Sequence, residues 1–95
     1  MFDNPRYITK GIECSVPLWL RNLIFYTLDT MEVESKDYLQ VFKLSAEDGK
    51  QKIIHTQEQP PYEHEYLLEA DEPVTAKIFV IDDATHSTLL LAEEY

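Results

Sequence analysis

The sequence predicts an α+β domain: a single helix packed on a mostly antiparallel sheet of about five to six strands, in the order β-α-β-β-β-β. Three observations carry this. Only one segment, residues 17–32, has apolar residues at helical spacing. The segments after it are rich in strand formers, and the clearest alternates apolar and polar positions. The connections between them are short, and short connections make hairpins, which are antiparallel. Ninety-five residues make one domain, 1–95, with a thin core.

RYIT (6–9) is the first strand, set off by Asn4-Pro5, and Gly11 permits a bend after it. Ser15-Val16-Pro17 resembles a helix start, with Ser15 as the cap and Pro17 in the first turn. Leu20, Leu23, Ile24, Leu28 and Met31 form the stripe that faces the sheet. Trp19, Phe25 and Tyr26 fall outside it, so either the sheet curls around the helix or a second copy covers the rest. DYLQVFKLS (37–45) and KQKIIHTQ (50–57) flank Asp48-Gly49 and read as a hairpin. Pro60-Pro61 favours an extended path, because each proline keeps the preceding residue out of the helical region. EYLLEA (65–70) is a short strand candidate, and VTAKIFVID (74–82) is the strongest, with Val74, Ala76, Ile78 and Val80 on one face. DDATHS is a loop, and TLLLAEEY (88–95) completes a second hairpin.

Charge is the most informative quantity. Eight basic and eighteen acidic residues give a net of −10. Residues 1–57 hold seven basic and eight acidic side chains, a net of −1; residues 58–95 hold Lys77 and ten acids, a net of −9. Direct nucleic-acid binding needs cations that displace condensed counterions, so it is not expected. The longest apolar-rich segment is broken by Arg21 and Asn22, so no membrane span is expected. One cysteine, Cys14, forms no internal disulfide, which makes a reducing cytoplasm the simplest compartment.

HTQEQPPYEHEY (55–66) concentrates prolines, aromatics, histidines and glutamates. It lacks PxxP spacing and reads as a stiff strand connection that can also serve as a recognition edge. His55, His64 and His86 lack the spacing of metal sites, and no metal or other cofactor is expected. At strand ends and in loops, these histidines are expected to be solvated. No nucleophile elbow, phosphate loop or dinucleotide motif is present, so the chain is not expected to be an enzyme. A row of strand carboxylates about 6.6 Å apart can imitate a nucleic-acid backbone. The leading reading is therefore a protein-binding module that meets a basic partner, in one form as a DNA mimic. Glu63, Glu65, Asp82, Asp83, Glu93 and Glu94 would supply the field, and Tyr62 and Tyr66 the apolar anchorage. This requires the later carboxylates to converge on one patch. A homodimer through the helix or an edge strand is the alternative, with acidity serving solubility. A small metal-dependent enzyme ranks third.

NPRYITKGI, DYLQVFKLS, KQKIIHTQEQPPY and TAKIFVIDDATHSTLLLAEEY together resemble the domain of unknown function 960 family of short Firmicutes proteins. The resemblance spans essentially the whole chain. It implies no activity, cofactor or site residue. It does imply a setting on staphylococcal cassette elements, a class of mobile genetic element, beside recombinases and a glycosylase inhibitor that is itself a DNA mimic.

Overall fold

The computed structural model describes all residues, 1–95. Strand β1 (Arg6–Ile8) leads into helix α1 (Lys10–Ser15) and helix α2 (Leu18–Thr30). Five strands follow: β2 (Leu39–Glu47), β3 (Lys50–Gln57), β4 (Tyr62–Glu69), β5 (Ala76–Asp82) and β6 (Ser87–Leu91). A single 3-10 turn, Ala92–Glu94, comes last. The strands form one sheet in the order β1-β6-β5-β2-β3-β4. Only the β1–β6 pair is parallel. The architecture is the predicted α+β arrangement, with one strand more than the predicted order. A short axis of 20 Å leaves room for one helical layer on one face of the sheet.

Helix α2 turns Leu20, Ile24, Thr27 and Leu28 to the sheet, at spacings of four, three and one. Leu20, Ile24 and Leu28 meet Phe42, Leu44, Ile53, Ile78, Val80 and Leu89 from four strands in one core cluster. Each fully buried Leu, Ile or Phe contributes about 1.5–3 kcal/mol. Phe25 is half-buried, with the Arg6 guanidinium 4.8 Å from its ring, while Trp19 and Tyr26 stay exposed. The sheet therefore does not wrap the helix.

The structure corrects several local expectations. Gly11 lies within a helix, not a bend: Thr9 caps α1 by accepting the Ile12 N–H at 3.3 Å. Ser15 ends α1 and caps nothing, and Pro17 itself occupies the N-cap of α2. The 65–70 segment is the second half of a full strand that starts directly after Pro61. Strand β5 begins at Ala76 because the Gln51 side chain claims the Val74 backbone, accepting its N–H at 2.7 Å and donating to its carbonyl at 3.0 Å. The last strand stops at Leu91, where the Glu94 carboxylate accepts the Leu91 N–H at 2.9 Å and tightens the 3-10 turn. The Asp48-Gly49 turn forms as expected, with both residues left-handed at φ of 52° and 76°.

Candidate functional site: the β4 edge

Strand β4 is the outermost strand on one side of the sheet and pairs only with β3. The register fixes which way its side chains point. Gln51, Ile53, His55 and Gln57 of β3 are buried under the helical layer, and they lie opposite Leu68, Tyr66, His64 and Tyr62. Glu63, Glu65, Leu67 and Glu69 therefore leave on the other face, which no helix covers. The four predicted residues of this strand share one edge but divide between its two sides.

On the helical side the edge is aromatic. The His55 ring stacks on Phe42 with centroids 4.2 Å apart and meets Tyr62 edge-on at 5.2 Å. The His64 and Tyr66 rings lie 4.4 Å apart. Burial, and then the neighbouring Tyr62, raise the Tyr66 hydroxyl above its ordinary pKa.

Behind this row runs a buried polar chain. The Gln40 Oε1 lies 2.6 Å from His55 Nε2, and Gln40 Nε2 donates to Gln57 Oε1 at 2.7 Å. The Gln57 amide donates to the Pro60 carbonyl at 2.8 Å and the Ser35 carbonyl at 3.1 Å. The chain thus ties the turn that launches β4 to the segment entering β2. Because a Gln40 oxygen faces it, His55 Nε2 carries the proton, and buried Nδ1 has no hydrogen-bond partner. Burial foremost, then His64 and Lys36, lower the His55 pKa to about 4. His55 is fully buried, contrary to the expectation of solvated histidines. The sequence signal was weak, because three of the four buried positions of β3 are polar.

On the open side, Lys52 Nζ lies 3.6 Å from Glu65 and 3.5 Å from Glu47, and Lys50 lies 3.5 Å from Glu69. Glu63 has no ion-pair partner. Past the C-terminal end of β4, Glu69, Asp71 and Glu72 face Glu13 and Trp19 across a groove of about 800 Å³. The edge and the groove form a continuous anionic margin. Trp19 and Glu13 were not among the predicted site residues, because they come from the helical half of the chain.

The other four predicted carboxylates do not join this margin. Asp82 ends β5, Asp83 follows it in the loop to β6, and Glu93 and Glu94 lie in the turn after β6; β2 and β3 separate these strands from β4. Asp82 is buried; its carboxylate accepts the Phe2 N–H at 2.6 Å, the Ala84 N–H at 2.7 Å and the Asn4 amide at 3.1 Å. The Phe2 bond is foremost among the causes that lower its pKa. Asp83 accepts the His86 and Thr85 N–H groups, both at 2.9 Å, and the Thr85 hydroxyl at 2.7 Å; these bonds, the His86 one first, bring its pKa to about 2. Asp82 serves its own loop and the N-terminal segment, and Asp83 serves its loop alone. Glu94, at the opposite end of the β5–β6 hairpin, accepts the Thr9 hydroxyl at 2.6 Å, and that bond foremost lowers its pKa. Glu93, beside it, is solvent-exposed. The single continuous patch expected from the sequence is therefore not formed.

No three His, Cys, Asp or Glu side chains converge within reach of a metal ion. No helix is long and apolar enough to cross a membrane.

Residues 5–94 match the family model described as a staphylococcal protein of unknown function, DUF960. The chain belongs to the DUF960 family. A crystal structure of a protein of unknown function from Enterococcus faecalis has the same fold, with a TM-score of 0.82 at 28% identity. The match covers 98% of this DUF960 chain and 92% of the enterococcal one. No curated protein matches the chain.

Proposed function

We propose that this DUF960 chain is a non-enzymatic protein-binding module whose β4 edge accepts an extended basic segment of a partner. The observation that carries this reading is an uncovered eight-residue edge strand with carboxylates along one side and tyrosines along the other. An edge strand offers unpaired N–H and C=O groups to an incoming strand. Glu63, Glu65 and Glu69 would face lysines or arginines at alternate positions, roughly 6.6 Å apart. The intervening apolar residues would pack on Tyr62, His64 and Tyr66. The anionic groove lies where the added strand would run on past Glu69.

The same charges disfavour self-pairing of β4. In every symmetric antiparallel register that overlaps most of the strand, two glutamates stand opposite each other. Depending on the register, these are Glu63 with Glu69, Glu65 with itself, Glu63 with Glu65, or Glu65 with Glu69. A partner segment is favoured over an extended imitation of DNA, because two of the carboxylates already have lysine neighbours and the rest of the acidic set lies elsewhere. A DNA-binding protein with a basic tail fits the mobile-element setting, in the cytoplasm, where Cys14 stays reduced.

The test is a titration of isotope-labelled protein with a synthetic peptide alternating lysine and valine. Amide shifts should concentrate at residues 62–69, and affinity should fall as salt rises, since exposed charges are screened beyond about 8 Å at physiological ionic strength. Glu63→Gln with Glu65→Gln should weaken binding about tenfold. Equal binding by that variant, or shifts confined to other strands, would end this reading.

A further inference from the structure

We infer that the helix-free face of the sheet is the contact between two copies of this chain. This goes beyond the peptide reading, because a face-to-face contact leaves the hydrogen-bonding row of β4 free in the plane of the sheet. Leu39, Val41, Ile54, Phe79 and Ile81 are only partly buried on a face that no helix covers. The charge on this face is balanced in a chain that is otherwise acidic. Lys43, Lys50, Lys52 and Lys77 stand among Glu47, Glu63, Glu65 and Glu69, so the rest of the chain carries the whole net charge of −10. Two copies repel through their other surfaces and least through this one.

The lysines also ask for an outside partner. Lys43 and Lys77 lie directly opposite each other on β2 and β5, and neither has an ion pair within the chain. Like charges in that position destabilise a sheet. The register supplies a complement for Lys77. Lys77, Lys43, Ile54 and Glu65 form one row across β5, β2, β3 and β4. A two-fold axis parallel to the strands, between β2 and β3, sets Glu65 of each copy over Lys77 of the other and Ile54 over Lys43. Stacked sheets lie about 10 Å apart, a gap that a lysine and a glutamate span end to end. Glu65 is 56% exposed beside Lys52 and keeps an oxygen free for this contact. The interface is isologous, so each copy contributes the pair once and the pair occurs twice.

Sedimentation velocity from about 10 to 500 μM tests this, with circular dichroism to confirm folding. Wild type should pass from monomer to dimer over that range, and Lys77→Glu should weaken dimerisation at least about tenfold. Lys77→Glu combined with Glu65→Lys should restore it. A wild-type monomer at every concentration, or an unchanged Lys77→Glu dimer, overturns the proposal. A dimer abolished by Trp19→Ala and not by Lys77→Glu places the contact on α2 and also overturns it. Failure of the double variant to recover overturns the stated pairing. Peptide binding to monomeric Lys77→Glu is a separate readout, so the two readings fail independently.

Discussion

The two edges of the sheet are protected in opposite ways. The β1 edge is three residues long and held from several sides. Phe2 is buried, its N–H bound by Asp82; Arg6 forms a forked ion pair with Asp29 of α2 and lies over Phe25. The β4 edge is eight residues long, and its outer side carries Glu63, Glu65 and Glu69 with Leu67 among them. Shortness and tethers close an edge to every partner. Charge closes it to like-charged chains only and leaves it open to basic ones. One edge is thus closed by packing and tethers, and the other by charge alone.

The widest expected contrast is in stability. Phe2→Ala should cost about 3–4 kcal/mol in urea unfolding, because it empties a fully enclosed site. An effect under 1 kcal/mol would mean that the β1 edge is not held as described. The next effect comes from pH, which separates the two sides of the molecule. His55 behind the β4 edge is lowered to about 4 from an ordinary 6.5. Between those values the unfolded chain binds the extra proton, so stability should fall as pH drops through that window, by roughly 3 kcal/mol in all. His55→Phe should flatten the slope there. Asp82 on the β1 side is shifted below 3.8, so its contribution is present above that value and is lost only as pH falls beneath it. A slope confined to the lower window would remove His55 from the balance. Asp82→Ala at neutral pH should cost roughly 1–3 kcal/mol, since it leaves the Phe2 N–H buried without an acceptor. The smallest stability change belongs to the open edge: Glu63→Val with Glu65→Val should shift stability by under about 0.5 kcal/mol. It should nevertheless produce species larger than a dimer by light scattering, through strand-to-strand pairing of the uncharged edge. A variant with no species larger than a dimer would show that charge is not what guards β4.

Much of the fold was legible because its signals are local. Asp48-Gly49 dictates a tight hairpin by turn chemistry alone, and the alternation around Ile78 and Val80 marks β5. Helix α1 was hidden because Thr9 looked like the end of a strand and Gly11 like a bend, while the cap is set by one side-chain bond. Strand β3 hides its inner face, since Gln51, His55 and Gln57 are buried through bonds to distant segments. Half of the candidate site was legible, because Tyr62, Glu63, Glu65 and Tyr66 fall on one strand. Asp82, Asp83 and Glu94 were not, because a count of charges does not reveal which carboxylates already hold backbone N–H groups.

The Asp82 bond to Phe2 joins positions eighty apart in the chain, and β1 has no neighbour until β6 exists. As the polypeptide leaves the ribosome from its amino end, its first residues therefore wait without a seat while the hairpins after them assemble. Docking of Phe2 and β1 can follow only once the 80s have emerged. A chain stalled before that point would display Phe2 and a bare strand, the surface that chaperones and proteases use to tell unfinished products from mature ones.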